Sequence, residues 1–246
     1  MGFLGDVFTW FGDRAHWRGS TGVWMRLSEH IQLSLVCVVA AMALALPISV
    51  WLGHRRRFGT LAINVSNVGR ALPSFAILAV GSQILGTRNV PVVQTWTTFL
   101  ALVALAVPPL VTNAYVGVAE VPDDVRESAR GMGLSDGQSL LRVELPMALP
   151  LIMAGVRTSA VQVVATATIA AVVGAGGLGR YIIDGFAVQD NVQVFAGAVL
   201  VAALSLLTEV FFSLVQRVVT PRGLRKEATL GPASDVTLAL PSVEVA

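Results

Sequence analysis

Charge is the scarcest thing in this sequence. Of 246 residues only 13% are charged, about half the ~25% usual in soluble domains. Seventeen basic and 15 acidic side chains cannot build a water-facing surface for a chain of this length, which excludes an ordinary soluble enzyme. A net charge of +2 gives no basic footprint for nucleic acid, and none is expected as a partner. Cys37 is the single cysteine, so an internal disulfide and a CxxC or four-cysteine zinc site are both excluded. His16, His30 and His54 are the only histidines, too few and too scattered for a metal-ligand pattern. Lys226 is the sole lysine and follows Arg225, so the phosphate-binding pattern G-x-x-x-x-G-K-S/T cannot occur. Any ATP and Mg that drive this chain must be bound by another subunit, and no cofactor of its own is expected.

Apolar length is what the sequence has in abundance. It is 54% hydrophobic, with a mean hydropathy of +0.72, and the bilayer is the solvent that suits it. A helix needs roughly 20 apolar residues to cross a ~30 Å hydrocarbon core. Residues 31–53 and 96–119 carry no charge, 59–86 carry only Arg70, 146–173 only Arg157, and 191–216 only Glu209. The expectation is an all-α integral membrane protein with five transmembrane helices, since helices satisfy their own backbone in lipid and alternating barrel strands are absent. With the N-terminus outside, segments 54–58, 120–145 and 217–246 hold ten basic residues against five outside, so the positive-inside rule gives N-out and C-in. Residues 1–30 lack a basic n-region and a cleavage site, and do not read as a cleaved signal. Phe3, Val7, Trp10 and Phe11 repeat at helical spacing, predicting an interfacial helix on the outer surface. The predicted organisation is an outer interfacial segment at 1–30, a membrane domain at 31–221, and a disordered cytoplasmic tail at 222–246.

Gly174, Gly176 and Gly179 spell G-x-G-x-x-G. A dinucleotide fingerprint needs a preceding strand and a later acidic residue. Here a membrane span precedes it, so a turn at the outer end of that span is the reading, with Gly177 in the same turn.

Segment 120–145 differs from its surroundings. It holds Glu120, Asp123, Asp124, Arg126, Glu127, Arg130, Asp136, Arg142 and Glu144, interleaved with Met132, Leu134, Leu140, Leu141 and Val143. Two short helices fit, over about 122–131 and 135–145. Pro122 suits the first turn, Gly131 or Gly133 the stop, and Ser135 the second N-cap. Pro146 then opens the next span. An apolar side with a charged rim makes this a docking knob on the cytoplasmic face.

Glu127-Ser128-Ala129, then Gly133, then Val143-Glu144-Leu145-Pro146 resemble the EAA signature of ABC importer permeases. That signature reads E-A-A, three residues, G, nine residues, I-x-L-P; Ser128 replaces alanine and Val143 isoleucine. Arg70-Ala71-Leu72-Pro73-Ser74-Phe75, Thr166-Ala167-Thr168-Ile169-Ala170-Ala171 and the glycines 174–179 are similar to the osmoprotectant branch, which imports glycine betaine, choline, carnitine or proline. Methionine permeases share the glycine-rich element and the five-span plan. The resemblance covers about residues 28–225 and implies a type I importer (MetI-like) permease fold. It implies a cytoplasmic ATPase subunit contacted by Glu127, Ser128, Ala129, Gly133, Leu134, Val143, Leu145 and Pro146. It implies a second permease copy or a similar permease. It also implies an extracytoplasmic substrate-binding protein near Gly174, Gly176, Gly177, Gly179 and the 86–95 loop.

Polar groups inside spans are costly and so informative. Arg70 either lines the pathway or forms a structural pair. Pro73, followed by Ser74, is expected to kink its span, as are Pro108 and Pro109 theirs. Gln162 and Thr166 share a helix face and either line a conduit or join helices. Arg157 and Glu209, at similar depth, are expected to pair between the fourth and fifth spans. An ion-coupled carrier would need no docking knob and usually has internal repeats, which the two halves lack. A membrane enzyme would need a catalytic cluster, and none is evident.

Overall fold

The computed structural model describes residues 2–56, 59, 64, 91–174 and 176–220, with backbone alone for 91–95 and 173. The predicted span at 59–86 (beyond positions 59 and 64), with Arg70, Pro73 and Ser74, and the predicted tail at 222–246 lie outside the described residues. Everything described is helix, turn or coil, with no strand. The helices are α1 (Phe3–Gly12), α2 (Val23–Arg55), α3 (Pro91–Ala119), α4 (Asp123–Gly131), α5 (Asp136–Ser139), α6 (Leu145–Ala170), α7 (Gly179–Ala187) and α8 (Asn191–Val219). A 3₁₀ turn at Arg14–Trp17 follows α1, a π turn at Leu140–Glu144 joins α5 to α6, and a 3₁₀ turn at Ala171–Val173 ends α6.

Among the described residues, four helices are long and apolar enough to cross a membrane: Val23–Arg55, Trp96–Ala119, Asp136–Ala170 and Asn191–Val219. Three of them pack through stripes repeating every four residues. On α2 the stripe is Cys37, Ala41, Ala45, Ser49 and Gly53; on α3 it is Leu102, Ala106, Leu110, Ala114 and Val118; on α6 it is Ala148, Ile152, Val156 and Ala160, all buried. Such i, i+4 rows form ridges that fit the grooves of a neighbouring helix. Water gives no driving force between helices in lipid, so close van der Waals approach of small residues does the work. The fit leaves no room at the two closest points. A Cβ on Gly53 would lie 2.8 Å from the Tyr115 carbonyl oxygen, and one on Gly155 2.9 Å from that of Pro109. Large apolar side chains point the other way: Leu35, Val39, Leu44, Ile48 and Trp51 of α2 and Leu206, Leu207, Phe211 and Leu214 of α8 are exposed, as lipid-facing positions must be.

Directions follow from the contacts. Cys37 lies level with Phe99 and Gly53 with Val118, so α2 and α3 run the same way; α6 runs back. The helix α3 continues through Pro108 and Pro109, and the Ser159 hydroxyl of α6 donates to the Ala106 carbonyl at 2.8 Å just before them. At the opposite end α1 buries Val7 and packs Trp10 against Val23 and Ala196. Trp10 stacks on His16 (4.4 Å) and meets Tyr181 edge-on (5.6 Å), while the Tyr181 hydroxyl donates to the Thr21 carbonyl at 2.8 Å.

Candidate functional site

The 120–145 segment sits where α2 and α3 end and α6 begins. Pro122, in extended conformation, is the N-cap of α4, which carries Asp123 and Asp124 in its first turn, where acidic groups meet the positive end of the helix dipole. The helix stops in a Schellman motif. Gly133 N–H donates to the Arg130 carbonyl at 2.8 Å and Leu134 N–H to that of Ala129 at 3.2 Å, with Gly133 at φ 83°. Ser135 then caps α5 in a reciprocal capping box with Gln138, satisfying two orphan donors at once.

Two expectations for this segment need correction. The second short helix does not end before Pro146: α5, the π turn and α6 form one continuous rod of 35 residues from Asp136 to Ala170. A proline inside a helix clashes with the carbonyl four residues back, and the wider π turn immediately before Pro146 is placed to relieve that clash. The charged rim is also incomplete, because Arg126 and Glu144 point inward and are 8% and 1% exposed. Outside lie Glu127, Ser128, Gly133 and Arg142, together with two bare apolar side chains, Met132 (75% exposed) and Leu141 (66%). Ala129 is buried, and Leu134, Val143, Leu145 and Pro146 are half-buried.

Glu144 is the centre of a polar cluster. His54 Nδ1, at the end of α2, donates to both carboxylate oxygens at 3.0 and 2.9 Å. Arg126 Nη2 of α4 lies 3.2 Å from Oε2, and the Ser139 hydroxyl donates to Oε1 at 3.3 Å. The same guanidinium donates to the carbonyls of Val118 (2.6 Å) and His54 (3.2 Å), tying α3 and α2 to α4. Burial lowers the Arg126 pKa from its ordinary value, and the Glu144 charge opposes that shift. Beside the cluster Arg56, at φ 47°, pairs with Asp123 and donates to the Val121 carbonyl at 2.6 Å. Spacing alone did not single out His54, Arg126 or Glu144. The signal was there in a histidine at the end of an uncharged run and a glutamate at the start of another, both at a span boundary where a charge needs a partner.

At the other end the glycine turn closes on α2. Gly174 and Gly177 have φ 87° and 91°. Gly177 N–H donates to Glu29 Oε2 at 2.8 Å, and Leu178 N–H donates to His30 Nδ1 at 3.3 Å. His30 Nε2 donates in turn to the Val164 carbonyl at 2.9 Å, so the buried ring is the neutral Nε2–H tautomer, joining α2, α6 and the turn. Gly176 and Gly179 have no space for a side chain, the first against Glu29 and the second against the end of α6.

Between the two ends, Arg157 Nε of α6 lies 3.4 Å from Glu209 Oε1 of α8. Losing either partner leaves one charge among apolar helices, at a cost on the order of 3 kcal/mol on insertion scales. Arg157→Ala and Glu209→Ala are each expected to reduce the yield of assembled protein in detergent, and the double change to restore it. Size-exclusion profiles of the three variants measure this, and additive losses would refute the pairing. Gln162 and Thr166 lie half-buried on α6.

The chain matches the family described as the binding-protein-dependent transport system inner membrane component over residues 33–223. It is 34% identical over 200 residues to the glycine betaine/carnitine/choline transport system permease protein OpuCB of Bacillus subtilis (strain 168), covering 81% of this chain and 89% of that protein. It is 32% identical over 220 residues to the carnitine transport permease protein OpuCB of Listeria monocytogenes, covering 89% and 96%. Among solved structures it is similar in fold to an inward-facing conformation of the MetNI methionine ABC transporter, with a TM-score of 0.69, 21% identity, and coverage of 81% and 96%. A match across most of its length, on a bundle of membrane-length helices, makes this chain a member of the binding-protein-dependent transport system inner membrane component family, a permease that resides in the membrane.

Proposed function

We propose that this chain is the translocation subunit of an ATP-driven importer for osmoprotectants such as glycine betaine, choline or carnitine, and that the 120–145 segment is where the ATPase subunit grips it. The observation that carries the reading is that segment. The glycine-closed turn presents Met132 to solvent and the π turn presents Leu141, apolar surface that a freely solvated loop would not display. Glu127, Ser128 and Gly133 share the exposed side with them. ATP and Mg are held by the partner, and this chain moves the spans by rigid-body displacement. Five crossings with the N-terminus outside fit the ten basic residues of 54–58, 120–145 and 217–246 against five on the other side. On that orientation α1 lies in the outer interface and the glycine turn faces the substrate-binding protein. Two permease chains surround the conduit, to which Arg70, Pro73, Ser74, Gln162 and Thr166 contribute.

The solute class rests on the relatives' names. A quaternary ammonium has no N–H to donate and is best held over aromatic faces. This chain has only Tyr115 and Tyr181 as tyrosines, so selection belongs mainly to the binding protein. In cells lacking this subunit, uptake of labelled glycine betaine, choline or carnitine at high osmolarity is expected to be lost and to return with the gene. Restored methionine uptake instead, or solute flux by the purified chain in ATP-free vesicles, would overturn the reading.

A further inference from the structure

We propose that Glu144 is a positioning residue for energy coupling: it pins the docking segment to the ends of α2 and α3, so that a push on the knob moves three spans together. The inference rests on the docking reading above and adds the part that carries the load. A knob joined to the bundle only by its two chain connections, 120–122 upstream and the π turn downstream, would absorb a displacement by bending. Side chains from four elements prevent that by meeting on one carboxylate: His54 from α2, Arg126 from α4, Ser139 from α5, and Glu144 itself from the π turn. Arg126 extends the grip to the Val118 carbonyl of α3. The π turn builds the site, because its i→i+5 spacing sets Ser139 over Glu144, five residues on. Burial makes the cluster stiff: Glu144 is 1% exposed, and a carboxylate out of water tolerates little departure from its donors. Arg126 Nε is buried with no partner among the described residues, so the cluster is one bond short there and has a donor to offer another acceptor when the segment shifts.

The test uses the assembled transporter in proteoliposomes, with ATP hydrolysis and solute uptake measured on the same vesicles. Met132→Cys, on the bare tip of the knob, reports docking by crosslinking to the ATPase. In Glu144→Gln and His54→Leu the crosslink and hydrolysis are expected to persist, while solute moved per ATP falls by about fivefold or more, as for a typical coupling between sites. His54→Asn, whose side-chain amide can replace the Nδ1–H donor, is expected to keep the ratio. If the ratio is unchanged in Glu144→Gln and His54→Leu, or if hydrolysis and uptake fall in parallel, the carboxylate merely stabilises the fold and the proposal is wrong. Should Glu144→Gln fail to assemble, the His54→Leu and His54→Asn pair decides the matter at the same carboxylate. Absence of the crosslink in the Met132→Cys complex alone would instead remove the docking reading.

Discussion

Gly179→Val is expected to abolish uptake and to lower the melting temperature of the purified permease more than any substitution on the exposed knob. Even a single Cβ at this position would fall onto the Thr168 carbonyl oxygen and lie 2.9 Å from Ala171 Cβ. Neither obstacle is the loose end of a side chain. One is backbone on the last turn of α6 and the other a methyl on the 3₁₀ turn that ends it, so relief requires α6 and α7 to separate. Overpacking of this kind costs about 1–3 kcal/mol or more, and two packed elements leave few ways to reduce it. The damage would spread, because the Glu29 and His30 contacts that close the turn on α2 depend on the same approach. Gly137→Ala is the control for stability: nothing lies within 4 Å of its Cβ, and its melting temperature should match the parent. Thermal unfolding in detergent measures both. A Gly179→Val protein as stable as the control would show that α6 and α7 do not pack this closely.

The fold was legible wherever lipid dictated composition and illegible wherever charges found partners. Residues 31–53 stood out because nothing in them is charged, yet α2 begins at Val23. The extra turns contain Arg26, Glu29 and His30, which a hydropathy reading treats as terminators. In the folded chain Arg26 pairs with Glu29 at 3.0 Å, Glu29 also accepts from the glycine turn, and His30 bonds the end of α6. Arg26 finds its partner locally, but the costs of Glu29 and His30 are offset by residues 134 to 148 positions away, which no local window contains. The four-residue stripes of α2 and α3 were present in the sequence, but uniform apolarity hides which face is packed. Only the preference for small residues at close crossings separates Ala41 and Ala45, both buried, from Leu44 and Ile48, both exposed.

The docking segment divides in the same way. Its outline came from chemistry that is local in sequence: the caps at Pro122 and Ser135, and a glycine four residues after Ala129. Its interior came from none of these. Arg126 and Glu127 are neighbours with equal claim to a charged rim, yet the helix turns one inward to Glu144 and leaves the other outside. The π turn was equally invisible, because it is a response to Pro146 and to the buried carboxylate beside it rather than to any residue preference.

Gly133→Val is the complementary case, a large loss of function with little loss of stability. The position is open, with nothing within 4 Å of a Cβ, but its φ is 83°. A β-branched residue is a marked outlier there, and the left-handed conformation costs a side chain about 1–2 kcal/mol, enough to shift the equilibrium constant for the ordered turn roughly tenfold. The penalty falls on the Schellman bonds of Gly133 and Leu134, which close α4 and aim Met132 outward. Since Gly131, Met132 and Gly133 are exposed and a side chain at 133 meets nothing within 4 Å, the melting temperature should change little. Uptake in proteoliposomes is expected to fall by up to about tenfold, as the ordered turn is depopulated. Gly133→Asn separates backbone geometry from bulk, because asparagine enters the left-handed region more readily than other side chains. It should retain a substantial part of the activity that valine loses. If valine and asparagine were equally harmful, side-chain volume at the ATPase contact would be the cause; if neither had an effect, the turn at Gly133 would play no part in transport.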